Sequence, residues 1–195
     1  MSSPEIVEER PAVEEREAVT PTTPPTPPEP AEVPEPPVYA FWWLHDARWY
    51  QEVTKRFGQQ AANELNAEAL RFVARRVAQW YTKTHRLEFN ELPMDDLMDH
   101  LAGIFQAMSS DGMFEYELNG LGEDEWETVI TKSYSLRMLR AARSLDGYEC
   151  PCLDMRAGWF DGMGVTVRDK CVECQRTGGS VCRFRAVLER PLPAE

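Results

Sequence analysis

Ser109-Ser110-Asp111-Gly112-Met113-Phe114-Glu115-Tyr116-Glu117-Leu118-Asn119 is the stretch at which the chain changes its apolar period. From Phe114 onward, Phe114, Tyr116 and Leu118 alternate with Glu115, Glu117 and Asn119. A two-residue period places the first set on one face of a strand and the second on the other. Gly120-Leu121-Gly122-Glu123-Asp124 then turns the chain into Trp126-Glu127-Thr128-Val129-Ile130-Thr131, so the pattern predicts a hairpin.

Upstream the spacing is helical. Trp42, Asp46, Trp49, Val53 and Phe57 predict a helix over roughly 41–57, stopped at Gly58. A second helix is predicted over roughly 59–83, with Ala62, Leu65, Ala69, Phe72, Val73, Val77 and Trp80 on one stripe. A third follows Leu92-Pro93, carries Asp95 and Asp96 in its first turn, and buries Leu97, Leu101, Ile104, Phe105 and Met108. Downstream, 135–144 and 153–163 read as helices, and strands are expected at about 165–171 and 181–189, with Cys182, Phe184, Ala186 and Leu188 on one face. The expected class is α+β: an N-terminal helical layer packed on an antiparallel sheet, closed by a C-terminal hairpin.

Two regions are expected. Residues 1–37 hold eleven of the fifteen prolines and nine Glu against Arg10 and Arg16, with no aromatic residue, so this acidic tail is predicted to be disordered with polyproline II character. Residues 38–195 then form a single domain, at a net charge near −5 out of −12. It has no basic stripe and no apolar run of about eighteen residues, which argues against nucleic acid and membrane insertion. The opening Met1-Ser2-Ser3-Pro4-Glu5 has neither a basic n-region nor an apolar h-region, and the expected location is cytoplasmic.

All five cysteines, Cys150, Cys152, Cys171, Cys174 and Cys182, fall in one 33-residue stretch. Thiolates are soft ligands and four of them close a tetrahedral shell around Zn²⁺, with Cys171-Val172-Glu173-Cys174 as the knuckle. An iron–sulfur cluster also takes four Cys, but no ferredoxin-type run is present. Disulfides need an oxidising compartment and would leave one of five thiols over. The metal ligands expected are Cys150, Cys171, Cys174 and Cys182, holding a structural zinc on the C-terminal hairpin.

Tyr148-Glu149-Cys150, a helix, a strand reaching Cys171, then Cys174 and Cys182-Arg183-Phe184 together resemble the 4-vinyl reductase-type domain and a related, mostly bacterial and archaeal family of cytosolic proteins of unknown function. The opening Trp42-Trp43-Leu44-His45-Asp46, Trp49-Tyr50 and Arg56-Phe57-Gly58 is similar to that second family, so the resemblance covers nearly everything after the tail. In the vinyl reductase-type sensors zinc is held by an upstream Cys, an acidic residue and two further Cys; here Cys171 stands where the acidic ligand is. The resemblance implies a pocket for a small apolar molecule between helices and sheet, pairing as homodimers, and a sensor or accessory role; a neighbouring family carries an amino-thiazoline-carboxylate hydrolase name.

The candidate ligand-binding residues are Trp43, His45 and Tyr50 on the aromatic first helix, where six aromatics fall within twelve residues, and Phe114 and Tyr116 on the facing strand. Scattered methionines supply adaptable lining. The alternative is a small hydrolase using Cys152 or the His45/Asp46 pair, although no nucleophile, base and orienting group converge in the sequence. His45-Asp46 superficially matches metal-dependent phosphohydrolases, but only His85 and His100 remain as further His ligands. His85 is expected as a helix C-terminal dipole partner and His100 as a solvent-facing or capping residue.

Overall fold

The computed structural model describes residues 38–190, so the expectations for the tail lie outside the described residues. Helices α1 (Val38–Phe57) and α2 (Gln59–His85) form a hairpin around Gly58, whose φ of 89° a side chain would resist. A short 3₁₀ turn, Phe89–Glu91, leads to α3 (Met94–Gln106). Strands β1 (Phe114–Gly120) and β2 (Glu125–Ser133) follow, then α4 (Tyr134–Ala141), α5 (Cys152–Met163), β3 (Val167–Glu173) and β4 (Cys182–Leu188). The protein is α+β, with helices packed on one four-stranded antiparallel sheet of order β1-β2-β4-β3.

Register explains which sheet face is inside. Trp126 pairs with Ala186, Thr128 with Phe184 and Ile130 with Cys182, and β3 adds Asp169 opposite Ala186 and Cys171 opposite Phe184. These residues share the helix-facing side. On the other side Glu127, opposite Arg185, also reaches Arg183, making a charged ladder of the outer face.

The helix contacts depart from the expected stripes. In α2 the buried residues are Ala62, Asn63, Asn66, Ala74 and Ala78, while Phe72 is 66% exposed and Trp80 58%. The reason is α5. A Cβ on Gly158 would collide with the Arg71 carbonyl oxygen and lie 3.0 Å from the Ala74 methyl, and one on Gly162 would meet the Arg75 carbonyl at 2.5 Å and the Ala78 methyl at 2.7 Å. The two helices touch along small residues, so α2 turns Ala74 and Ala78 toward α5 and leaves Phe72 and Trp80 outside, with Leu70, Val73, Val77 and Tyr81 half-buried against the core. In α1 the buried residues are Trp43, Tyr50 and Val53, with Phe57 70% exposed. The stripes of α3 and β4 fall as expected, with Leu97, Leu101, Ile104, Phe105 and Met108 buried along with Cys182, Phe184, Ala186 and Leu188.

Gly158→Ala should therefore destabilise the domain by about 1–3 kcal/mol, as overpacked cores do, because backbone and not a flexible side-chain tip must move. Gly164 has a positive φ of 73° but open space around it, so Gly164→Ala should strain the backbone without moving α5. Urea melts of both variants, with near-ultraviolet dichroism reporting the tryptophans, distinguish the two costs.

Candidate functional site

Two small cavities stand out, one between the helices and the sheet and one within the helical layer. The first, about 30 Å³, is lined by Leu101 and Phe105 of α3, Tyr116, Leu118, Thr128, Ile130 and Phe184 of the sheet, and Cys152, Met155, Arg156 and Trp159 of α5. It is built by period: β1 sends alternate residues inward and α5 presents i, i+3, i+4 and i+7. Its one charged side chain is Arg156, 5% exposed. The guanidinium is forked onto Asp169, with Nη2 3.1 Å from Oδ1 and Nε on Oδ2, donates to Thr128 Oγ1 at 3.1 Å, and lies 4.9 Å from the centre of the Phe184 ring. A buried, doubly hydrogen-bonded pair of this kind fixes geometry more than it adds stability. It locks α5 to β3, and through Thr128 to β2.

The second cavity, about 40 Å³, sits between α1, α2 and α4 and is lined by Trp43, Asp46, Tyr50, Asn66, Tyr134, Met138 and Tyr148 among others. Its wall is a polar network. Tyr50 donates to Asn63 Oδ1 at 2.5 Å and is approached by Gln59 Nε2; Asn63 donates in turn to the Gly147 carbonyl at 2.8 Å and accepts from the Glu149 amide at 3.2 Å. Asn63 thereby clamps the segment that delivers Cys150. Burial pushes the Tyr148 hydroxyl well above its usual range, with the neighbouring Tyr50 and Asp46 adding to it. Burial also raises the Asp46 carboxyl, against a smaller opposing pull from His45.

The predicted ligand-binding residues are divided between these sites. Trp43 and Tyr50 line the second cavity, and Tyr116 the first. Phe114 lies between them, 5.6 Å from the Trp43 ring and 5.0 Å from Phe105. His45 is exposed and lines neither, because Trp43 and Tyr50 take the inward face of α1 and leave position 45 pointing away. Of the hydrolase candidates, Cys152 belongs to the first cavity and Asp46 to the second, and no histidine among the described residues lines either. His85 stacks on Tyr81 at 4.2 Å, and His100 is 3.3 Å from the Tyr81 hydroxyl, so both belong to an aromatic cluster.

The cysteines converge at one end of the sheet. Cys150, Cys152 and Cys174 pack against a buried cluster containing Cys182 and Phe184, and Cys174 stands beside both Cys171 and Cys182. Cys150 and Cys152 are joined as a disulfide, whereas Cys171, Cys174 and Cys182 are free. The expectation that these cysteines form no disulfide is thus corrected at Cys150 and Cys152, which the turn into α5 brings together. Burial pushes the Cys182 thiol up to about 11 and raises that of Cys171. Among the described residues no group of three or more His, Cys, Asp or Glu side chains is arranged to hold a metal ion, so the zinc-bearing hairpin is not shown. Thiols are donors of the kind a soft divalent cation takes, but here only Cys174 neighbours the other two free thiols, Cys171 and Cys182.

Sequence reasoning missed Arg156, Asp169, Asn63 and Asn66. Arg156 sits in a helix whose apolar residues form no clear stripe, and only Asp169 on an inward-facing strand position, between Val167 and Cys171, signals a buried charge needing a partner.

Neither a protein-family model nor a curated protein matches this sequence. Among solved structures, a trafficking protein particle complex subunit 3 from Naegleria fowleri, covalently bound to palmitic acid, superposes with a TM-score of 0.53 at 11% identity, over 80% of this chain and 98% of that one. A structure from the H-NOX family gives 0.43 at 15% identity over 76% and 73%, and a mutant H-NOX from T. tengcongensis gives 0.40 at 11% over 76% and 98%. The first likeness shows a shared fold, helices over an antiparallel sheet; the two weaker ones carry no argument. The resemblance to the 4-vinyl reductase-type and amino-thiazoline-carboxylate hydrolase-like families is not shown by these comparisons.

Asp46 allows a pH test. Its carboxyl is raised on folding, so the folded state holds the proton more tightly than the unfolded chain does. That contribution is complete below the unfolded value of about 3.9 and is lost as pH rises through the folded one. Asp46→Asn should lower stability little near pH 4 and should gain on the parent as pH rises to about 7. Thermal melts across that range showing a constant difference would remove Asp46 from the buried set.

Proposed function

We propose that this domain binds an apolar or aromatic small molecule between α3, α5 and the inner sheet face, and acts as a sensor or accessory protein. The observation that carries the reading is the first cavity: an apolar enclosure whose only charge, Arg156, is already neutralised by Asp169. At about 30 Å³ it holds a water or so, far below the about 300 Å³ at which small-molecule sites begin, so a ligand enters by displacing side chains. Met155 is the adaptable member of the wall. A fold neighbour that holds palmitic acid supports an acyl or similarly apolar ligand. The hydrolase alternative is weakened by the separation of Cys152 from His45 and Asp46.

Trp159 lies on the cavity wall and reports occupancy. Quenching by 11-bromoundecanol should saturate in the parent protein and lose its main component in Trp159→Phe. Leu101→Ala should strengthen uptake while costing about 2–5 kcal/mol of stability, and Leu118→Trp should weaken it. Quenching that is linear and identical in all variants would sink the reading.

The same proposal gives the C-terminal hairpin a structural Zn²⁺ on Cys150, Cys171, Cys174 and Cys182 when Cys150 is not bonded to Cys152, a thiolate shell supplying folding free energy. It also pairs two copies through the aromatic first helix in a cytoplasmic homodimer. Phe41 and Leu44 of α1, one turn apart, are exposed, as are Phe72 and Trp80 of α2, and large apolar side chains left at the surface support an interface. No described helix is long and apolar enough to cross a membrane. Light scattering should give twice the chain mass of 22.4 kDa, and Phe41→Glu should return it to one. A parent protein that scatters as a monomer at all micromolar concentrations would remove the pairing.

A further inference from the structure

Asp46 is the one charged side chain on the wall of the second cavity, and among the described residues no Lys or Arg pairs with it and no hydrogen bond reaches it. A carboxylate left uncompensated in a cavity wall is costly, and a cation placed beside it relieves the cost. Around it stand the rings of Trp43, Tyr50, Tyr134 and Tyr148. Two of these spend their polar ends elsewhere, the Trp43 indole on the Met108 carbonyl and the Tyr50 hydroxyl on Asn63, so they offer the cavity ring carbon. Tyr50 and Tyr148 meet edge to face at 5.2 Å. The π-surface of such rings attracts a cation held within about 6 Å. Tyr134 already holds one, the Arg137 guanidinium at 5.2 Å from its centre. Neither Arg137 nor Arg176, the basic group beside Tyr148, lines the cavity itself.

Asn66 is an independent sign of a ligand. It is 5% exposed and lines the same cavity, yet among the described residues its amide is tied to nothing but the neighbouring Tyr148 hydroxyl. A buried amide carries both donors and acceptors, and leaving them unmet costs stability. The Asn66 oxygen, the Tyr148 hydroxyl and the Asp46 carboxylate are three acceptors, which matches the three N–H groups of a primary ammonium.

We propose that the second cavity binds the head group of a primary alkylammonium ion, with Asp46 as counter-charge, Asn66 and Tyr148 as acceptors and the aromatic rings as cation-attracting walls. This site goes beyond the apolar cavity of the sensor reading and does not depend on it. Size limits the ligand. At about 40 Å³ the cavity admits a water-sized group or two, so it takes the nitrogen and its first carbon. Asp46, Tyr134 and Ser135 are half-buried and mark the mouth, through which the rest of an alkyl chain leaves. A quaternary ammonium carries the same charge but is too bulky and has no N–H to donate.

The test uses the full chain labelled with nitrogen-15. n-Propylammonium chloride is titrated in while sodium chloride is lowered to hold the ionic strength, and the Trp43 indole N–H, assigned by its loss in Trp43→Phe, is followed by nuclear magnetic resonance. Expected is a saturable shift with a Kd on the order of 1 mM, absent with n-propanol and with tetramethylammonium chloride. Asp46→Asn removes the charge and keeps the shape, and should raise the Kd about tenfold. Tyr134→Leu, at the mouth, should raise it about threefold, with near-ultraviolet dichroism reporting the fold of both variants. Leu118→Trp fills the first cavity and should leave the Kd unchanged. A Kd that responds to Leu118→Trp but not to Asp46→Asn places binding in the first cavity and overturns the proposal. Equal shifts with n-propanol overturn the ammonium in favour of an apolar pocket, and the same saturation by potassium chloride overturns it in favour of an inorganic cation. No saturation by n-propylammonium overturns the site.

Discussion

The structure depends on how closely α5 lies against α2. With Gly158 and Gly162 on one helix and Ala74 and Ala78 on the other, the backbones approach to a distance that no larger side chain permits. Such contact gains dispersion energy from many atom pairs without side-chain entropy being lost. Its larger effect is positional. Because α5 is pinned to α2, its opposite face is held at a fixed height over the sheet, and that height decides whether Met155, Arg156 and Trp159 meet the strands or leave a gap.

The Arg156–Asp169 pair is the second constraint and follows from the first. An arginine at the centre of the helix–sheet layer is costly unless its donors are met. Here Asp169, Thr128 and the Phe184 ring satisfy it from three strands, so the charge fixes the register of α5 against the sheet. A lysine there would offer no fork for the carboxylate. The apolar cavity beside it is what remains where aromatic rings of α3, β1 and α5 meet edge to face, with Phe105 set against Tyr116 and Trp159.

Where the sequence misled, the cause was consistent. The predicted stripe of α2 is divided: Ala62 is buried and Val73 and Val77 are half-buried, but Leu65, Phe72 and Trp80 are exposed and Ala74 and Ala78 make the close contact, because the partner helix selects for size and not for hydrophobicity. His45 read as a pocket residue through its aromatic neighbours, but the inward direction of α1 is set by Trp43, whose indole donates to the Met108 carbonyl at 3.2 Å. The cysteines read correctly as a cluster. Local chain geometry at Pro151 joined two of them, which spacing does not reveal.

The sequence by itself determined the element order, the change from helix to strand at Gly112, the inward faces of α3 and β4, and the gathering of the thiols. These follow from period and composition, which are local. Only the tertiary structure decided the strand order β1-β2-β4-β3, the alanine face of α2, the partnering of Arg156 with Asp169 and the division of the aromatic residues between two cavities. Each of those depends on which surfaces come within van der Waals reach after the chain has closed long loops. No window of neighbouring residues contains that distance.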